Sequence, residues 1–130
     1  MSEWKVANYE LSLRLRGLGV RQDKSERVYR KLHELDGGIV LARRADLKHL
    51  PHAVCDDVAA LDGAELGVAL PYGFMQMVEL DGGYVSWNGT GISVHANRLG
   101  DAMGGALIQG LESGCITVEG VNRRLRECQS

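Results

Sequence analysis

Apolar and polar residues alternate most regularly between residues 73 and 94, and this stretch predicts three antiparallel strands joined by two tight turns. The strands are predicted at residues 74–80, 84–87 and 90–94. Asp-Gly-Gly at 81–83 and Asn-Gly at 88–89 supply the positive φ angles of two-residue hairpin loops. Because paired residues share a face, such loops place Val85 opposite Ile92. One face is then apolar and must be covered; its members are Val78, Leu80, Val85, Trp87, Ile92 and Val94.

The segment after this meander is predicted to be the helix that covers the apolar face. Residues 97–113 carry apolar side chains at helical spacing, and Gly114 is suited to end a helix. Four glycines interrupt the pattern, and each costs about 1 kcal/mol relative to alanine inside a helix. They indicate either very close packing of the helix or a loop within the segment. The four are Gly100, Gly104, Gly105 and Gly110.

The remaining segments predict further helices and short strands. Residues 2–16 fit both a strand and a helix, and their Leu and Arg content, with Ser2 as a cap and Gly17 as a stop, favours the helix. Two further helices are predicted, from Asp23 or Ser25 to residue 35 and from Pro51 to residue 61. A last helix is predicted over residues 117–127, with Thr117 as its cap and with Arg123, Arg124 and Arg126 facing solvent. Strands are predicted at residues 39–42 and 66–70.

Together these elements predict an α+β fold. We expect a single small domain, residues 1–130, in which a three-stranded antiparallel meander at about residues 74–94 is covered by about four helices.

Charge is distributed unevenly along the chain, whose formal net charge is −2. Residues 1–50 hold 11 Lys and Arg against 7 Asp and Glu, whereas residues 51–120 hold one against nine. This split indicates either basic helices that pack beside an acidic sheet or a charged surface for a partner of opposite charge.

The sequence also bears on the cellular compartment. No apolar run reaches 18 residues, and residues 1–10 lack the basic-then-apolar layout of a signal peptide. We therefore expect a cytoplasmic protein that does not enter a membrane. In a reducing compartment Cys55, Cys115 and Cys128 are expected to be free thiols.

One weak metal signal is present. His49, His52 and Cys55 recur every three residues, and imidazole and thiolate are zinc ligands. The spacing matches no common zinc module, and surface histidines beside a buried cysteine are the favoured interpretation. We expect no metal and no cofactor.

A cysteine nucleophile would need an activating histidine. Cys55 or Cys115 could be combined with His33 or His95, but any chain with three cysteines and four histidines offers such combinations. A small enzyme with a Cys/His site is therefore the least favoured function, and no catalytic residue is assigned.

Nucleic-acid binding is a more substantial alternative, because seven cations cluster within 18 residues. A phosphate backbone needs only such a basic patch. Asp23, Glu26 and Glu34 are interleaved, as on an ordinary solvated surface. The candidate residues are Arg14, Arg16, Arg21, Lys24, Arg27, Arg30 and Lys31.

The favoured function is non-catalytic binding of another protein, as a small regulator, adaptor or inhibitor. Tyr72, Phe74, Met75 and Met77 form the only candidate apolar patch outside the expected core face. Methionines suit adaptable contact surfaces. We expect this patch to bind a partner, with a homodimer through Met75 and Met77 as the favoured arrangement.

Overall fold

The computed structural model describes residues 6–32, 38–70, 74–79, 82–87 and 92–129, with the side chains of residues 74–79, 82–87, 92 and 93 left out of the description. The fold is α+β, as predicted. The described chain contains four α-helices, one 3₁₀ helix and two three-stranded antiparallel sheets. In chain order the elements are α1 (Tyr9–Gly17), β1 (Arg27–Lys31), β2 (Ile39–Arg43), the 3₁₀ helix (Arg44–His49), β3 (Val58–Ala60), α2 (Gly63–Ala69), β4 (Phe74–Glu79), β5 (Gly82–Trp87), β6 (Ile92–Ala96), α3 (Leu99–Ser113) and α4 (Val118–Gln129).

Helix α3 lies at the centre of the molecule. It packs against α1 and α2 on one side and against β5 and β6 on the other. Nine of its residues are buried, including Leu107 and Ile108, and Gly114 ends it in the left-handed conformation with φ 83°. The predicted helix, its role as the cover of the meander, and its glycine stop are all confirmed.

The glycines of α3 allow very close packing. A Cβ atom on Gly100 would collide with the backbone of Val6, and one on Gly105 would lie 3.1 Å from Val94 Cγ1. Real Cβ atoms rarely come so close to their neighbours. The cost of glycine in the helix is therefore offset by contacts that a larger residue would prevent. Gly104 and Gly110 likewise face Ala7 and Ile116.

The first sheet has the order β2-β1-β3, with β1 in the middle. The prediction of a helix over residues 23–35 was wrong, because Arg27–Lys31 form strand β1. Val28 and Tyr29 are adjacent and both buried, because successive residues of a central strand face opposite, covered sides of a sheet. The helical spacing of the apolar residues Val28, Tyr29, Leu32 and Leu35 in the sequence gave the segment its helical appearance. The predicted strand at residues 39–42 is confirmed as β2.

Two further predictions around this sheet were wrong. The segment from Pro51 to residue 61 is not a helix, because it ends in strand β3, whose three residues are all buried. Residues 66–70 are not a strand, because Gly63–Ala69 form helix α2. Asp62 and Glu65 make a capping box at its start, which satisfies two backbone N–H groups that a helix leaves unpaired.

The meander is confirmed in the strand order β4-β5-β6, but its register differs from the prediction. Gly82 and Gly83 belong to β5, where they pair with Glu79 and Val78. Val85 lies opposite Val94 and not opposite Ile92. The connection to β6 is therefore two residues longer than the predicted Asn-Gly loop. Because the register shifts by an even number of residues, the residues expected to share a face of the sheet still share it. The turn residues themselves lie outside the described part of the chain.

Helix α4 forms close to where it was predicted, whereas the first helix is shorter than predicted because residues 6–8 are not helical. Helix α1 begins at Tyr9, and the side chain of Asn8 caps it by accepting from Leu11 N at 2.8 Å. The prediction of Ser2 as the cap was therefore wrong, and Gly17, the predicted stop, is the last helical residue before the C-cap Leu18. In α4, Val121 and Leu125 are fully buried.

Thr117 Oγ1 accepts from Gly120 N at 3.2 Å, as expected of a cap for α4. Arg124 does not face solvent as predicted. It donates to the carbonyl oxygens of Val68 and Ala69 at 3.2 and 2.8 Å. Arg124 therefore satisfies acceptors that α2 leaves unpaired at its C-terminal end.

The segment Val6–Asn8 joins the first sheet to α3. Ala7 N donates to Leu61 O at 3.2 Å, and Tyr29 Oη donates to Ala7 O at 2.7 Å. On its other side, Asn8 N donates to Asp101 Oδ1 at 2.8 Å, while Arg98 Nη2 donates to Val6 O. Val6 and Ala7 are buried. This segment therefore connects the two apolar clusters of the described structure.

Candidate functional site

A cleft of about 480 Å³ opens where the loop before β1, the start of α2 and the end of α4 meet. We call it the Glu65 cleft, after the carboxylate at its floor. The capping box of α2 fixes Asp62 and Glu65, strand β1 begins with Arg27, and α4 ends at Gln129. Its lining consists of Lys24, Glu26, Arg27, Asp62, Ala64, Glu65, Cys128 and Gln129.

Glu65 is the most buried charged side chain of the described residues, with 5% of its surface exposed. Its Oε1 accepts from Asp62 N at 3.1 Å. Its Oε2 accepts from Glu26 N at 3.1 Å and from Gln129 Nε2 at 2.8 Å. These bonds connect the loop before β1, α2 and α4 through one carboxyl group.

Burial raises the pKa of Glu65 above its ordinary value, and the hydrogen bonds from Asp62, Gln129 and Glu26 oppose that rise. Burial prevails because it removes the carboxylate from water, which disfavours its charged form. Perturbed carboxyl groups in clefts are candidates for functional sites, although structural hydrogen-bond networks perturb them as well.

Two other polar atoms of the cleft are buried without a hydrogen bond. Arg27 Nη1 donates to Asp62 Oδ2 at 3.4 Å, while Arg27 Nε has no hydrogen-bond acceptor among the described residues. Gln129 Oε1 likewise has no donor within the described structure. Buried polar atoms are nearly always hydrogen-bonded in folded proteins. Both atoms belong to residues that line the cleft, but neither has accessible surface to offer to it.

The seven residues of the predicted basic cluster are spread over α1, the following loop and β1. Four of the seven cations form ion pairs. Arg14 pairs with Glu112, and Arg30 makes two hydrogen bonds to Asp57, at 2.9 and 2.8 Å. The other two pairs are Arg21 with Asp23 and Arg27 with Asp62.

Three of these four pairs join residues 1–50 to the acidic residues 51–120. Part of the charge split is thus satisfied inside the molecule, although these pairs lie between α1 and α3 and around β1, and not between basic helices and an acidic sheet. Arg16, Lys24 and Lys31 are exposed, and no ion pair involves them in the described structure.

The cysteine and histidine signals find no structural support. His49, His52 and Cys55 are all exposed, so the expectation of a buried cysteine was wrong. Among the residues the structure describes, no group of three or more His, Cys, Asp or Glu could hold a metal ion. Cys115 and Cys128 are exposed free thiols, and His33 lies outside the described residues.

Three of the four predicted partner-binding residues belong to β4. Phe74, Met75 and Met77 belong to this strand, but their side chains lie outside the description, as does Tyr72 altogether. Among the described residues β4 pairs only with β5, so its other side is an edge of the sheet. The expectation that these side chains bind a partner stays a prediction.

Sequence reasoning found part of the Glu65 cleft for another reason. Lys24 and Arg27 were selected as cations for nucleic acid, whereas Glu65 and Gln129 were not selected. Asp-x-x-Glu at 62–65 is a capping signal that could have placed Glu65 at a helix start. Gln129 becomes significant only when the end of α4 packs beside α2.

None of the helices in the described residues combines the length and apolar character needed to span a membrane. No family model, curated protein or solved structure matches the chain.

Proposed function

We propose that this protein is a non-catalytic protein-binding module, a small cytoplasmic regulator, adaptor or inhibitor, that binds through the outer edge of β4. The observation that supports the proposal is the position of this strand. Within the described residues it has one neighbour, β5, and helix α3 packs on β5 and β6.

An edge strand offers backbone N–H and C=O groups to another chain. Partners use such edges by adding a strand, so that backbone hydrogen bonds supply affinity and alternate side chains supply specificity. Natural edges are often protected by proline, lysine or a bulge. The sequence of β4, Phe-Met-Gln-Met-Val-Glu, contains no proline or lysine. Its composition therefore suits strand addition.

We propose a second copy of this chain as the first partner to test. Antiparallel pairing of β4 with its copy is two-fold symmetric, and symmetric dimers are the commonest oligomers. Met75 and Met77 would lie near the axis of this homodimer. The charge split contributes little to the arrangement, because the ion pairs within the chain already use much of it.

The experiment compares oligomeric state by light scattering over a wide concentration range. We expect the parent to be a dimer and Met75→Glu/Met77→Glu to be a folded monomer, because two charges on each strand repel their copies. Ile39→Glu is the matched control, since Ile39 is exposed on β2, an edge strand of the other sheet. A monomeric parent, together with unfolding of the double variant, would assign the methionines to the core.

Proline substitution separates backbone pairing from side-chain contacts. Successive residues of an edge strand direct their N–H groups alternately inwards and outwards. Met75→Pro and Gln76→Pro therefore remove one N–H of each kind. We expect one variant to be a folded monomer and the other to lose the pairing with β5. Two folded dimers would contradict pairing through this edge.

Nucleic-acid binding is the alternative, and it rests on the exposed cations Arg16, Lys24 and Lys31. We expect weak binding of generic duplex that falls steeply with salt, because counterions are released when cations contact phosphates. Tight binding at physiological salt that is lost in Arg16→Ala/Lys24→Ala/Lys31→Ala would favour this alternative over protein binding.

A further inference from the structure

Strand β2 forms an edge of the first sheet. Among the described residues β1 is the only strand that pairs with it. Its two end residues, Ile39 and Arg43, are exposed, and the three residues between them are half-buried. Its sequence, Ile-Val-Leu-Ala-Arg, has no proline and a single charged residue, whereas natural edges are often protected by prolines and by several charges. The composition of this edge therefore suits the addition of a further strand.

Two hydrogen bonds at the ends of the ladder determine which backbone groups of β2 point away from β1. Leu32 N donates to Gly38 O, and Arg44 N donates to Glu26 O, each at 2.9 Å. In an antiparallel pair, residues that bond to the partner strand alternate with residues whose N–H and C=O groups point outwards. Since residues 38 and 44 bond towards β1, the even-numbered residues between them do so as well. The residues that point to the open edge are Ile39, Leu41 and Arg43.

The charge of the two strands is unmatched on the side of β2. Together β1 and β2 contain four cations and no acidic residue, namely Arg27, Arg30, Lys31 and Arg43. The first two pair with Asp62 and Asp57, which flank β3 on the other side of the sheet. Lys31, which lies opposite Ile39 in the ladder, and Arg43 are exposed, and no ion pair of the described residues involves them. A carboxylate beside β2 would therefore meet cations that the described chain leaves unpaired.

We infer that the outer edge of β2 binds an extended acidic segment of another protein, which joins the first sheet as a fourth strand. Its backbone bonds to the outward groups of β2, and its carboxylates lie near Lys31 and Arg43. The chain itself contains such a strand, because Asp57 and Asp62 flank the three apolar residues of β3 and pair with cations of β1. This site is separate from the β4 edge, and it neither requires nor excludes the proposed homodimer.

The experiment titrates the full chain with the peptide acetyl-Asp-Thr-Val-Thr-Val-Asp-amide and follows the backbone amides by NMR. The peptide has a high strand propensity and a carboxylate at each end. We expect a dissociation constant on the order of 1 mM. The amide resonances of Ile39, Leu41 and Arg43 should shift together, and those of the two inward residues between them should shift less. Saturation of other amides without these three would overturn the inference.

Two control probes test the chemistry of the ligand. The same peptide with Asn in place of both Asp residues should bind about tenfold more weakly, because it lacks two ion pairs with exposed cations. Equal binding of the two peptides would contradict an acidic partner. Oligothymidylate carries negative charge without a peptide backbone and should not saturate the three amides. If it binds there more tightly than the acidic peptide, the edge is a nucleic-acid site and the inference fails.

A proline variant tests the backbone contribution. Ile39→Pro removes an outward N–H at the first residue of an edge strand, a position where proline is tolerated. We expect about a tenfold loss of peptide affinity. Ile39→Val is the matched control, because it keeps the N–H and a branched apolar side chain, and it should bind like the parent. A folded Ile39→Pro variant with the affinity of the parent would overturn the inference.

A charge variant tests the electrostatic contribution. Arg43→Gln should lose about threefold in affinity for the acidic peptide and should leave binding of the Asn peptide unchanged. Arg16→Gln is the matched control, because Arg16 is exposed on α1, and it should keep the preference of the parent for the acidic peptide. An undiminished preference in Arg43→Gln would show that the carboxylates do not lie near this end of β2 and would contradict the inference.

Discussion

The two sheets of this protein are attached to the rest of the molecule by different kinds of interaction. The first sheet, β2-β1-β3, is joined to the segment before α1 by the bond from Tyr29 Oη to Ala7 O and by an apolar cluster of Val6, Tyr29, Val58 and Ala60. Within the sheet, Arg30 binds Asp57 next to β3. The second sheet, β4-β5-β6, meets the close-packed side of α3, where Gly105 faces Val94. Polar bonds and an apolar cluster together hold the first sheet, whereas the described contacts of the second sheet follow the shape of a helix surface.

The difference teaches which substitutions each sheet should tolerate. Directional bonds fail when one partner is removed, because the other is left partly buried and unpaired. A shape-matched contact fails when volume is added, because neither a helix nor a sheet yields easily. Removing charge should therefore affect the first sheet, and adding volume on α3 should affect the second.

The largest effect is expected from Leu107→Ala, because α3 supports both halves of the molecule. Leu107 is fully buried. Its loss should lower the free energy of unfolding by about 2–5 kcal/mol, through lost burial and the cavity left behind. Denaturant unfolding measures this value. Leu111→Ala is the control on the same helix, and it should cost less because Leu111 is only partly buried. Equal costs would contradict a central α3.

Gly105→Leu should act selectively on the second sheet. A Cβ at Gly105 already lies 3.1 Å from Val94 Cγ1, so a leucine must displace β6 from the helix. We expect a loss of about 3 kcal/mol in unfolding free energy. Hydrogen exchange should accelerate in β5 and β6 while β1 stays protected. Gln109→Leu, exposed on the same helix, should leave both sheets unchanged. Uniform acceleration in both sheets would show that they do not respond separately.

Arg30→Ala should act selectively on the first sheet. Arg30 binds both carboxylate oxygens of Asp57 and also donates to the carbonyl oxygens of Leu47 and Pro51. Its side chain is 15% exposed, and its loss should cost about 2 kcal/mol. Arg14→Ala is the matched control, because the exposed pair of Arg14 with Glu112 should contribute less than about 1 kcal/mol. Comparable losses in thermal unfolding would remove the distinction between the two pairs.

The smallest effect concerns pH and Glu65. Its pKa is raised in the folded protein because the carboxyl group is buried. The folded state then binds the proton more tightly than the unfolded state, so stability falls as pH rises from the unfolded pKa through the folded one. The unfolding free energy of the parent minus that of the Glu65→Gln variant should therefore decrease as pH rises across that window. Asp23→Asn, at an exposed position, serves as the control. A difference that grows with pH would contradict the direction of the shift.

Local signals in the sequence were sufficient to predict the meander, α3 and α4. Asp-Gly-Gly, Asn-Gly and Gly114 act over a few residues, so their structural effects can be deduced without knowing the fold. The register of the meander was missed because two glycines expected in the turn lie in β5.

The first sheet could not be predicted from local signals, because it forms through contacts between residues that are distant in the sequence. β1 is a strand because β2 and β3 pair with it on both sides, and β3 contributes only three residues. The short helix α2 contains Gly63 and Gly67, which weaken any helical pattern. Tertiary contacts override local preference in both cases. The Glu65 cleft was missed for the same reason, because Glu65 and Gln129 meet only after α2 and α4 have packed.

The position of Val6–Asn8 has a consequence for the order in which contacts form while the chain is translated. The segment is bound on one side by Tyr29 and Leu61 and on the other by Arg98 and Asp101. Its last partners are translated more than ninety residues after it. The nascent segment must therefore wait through most of this synthesis before its second set of bonds can form. Contacts this distant close late and slow the approach to the native state. During that interval Val6 and Asn8 lack the hydrogen bonds that Arg98 and Asp101 complete.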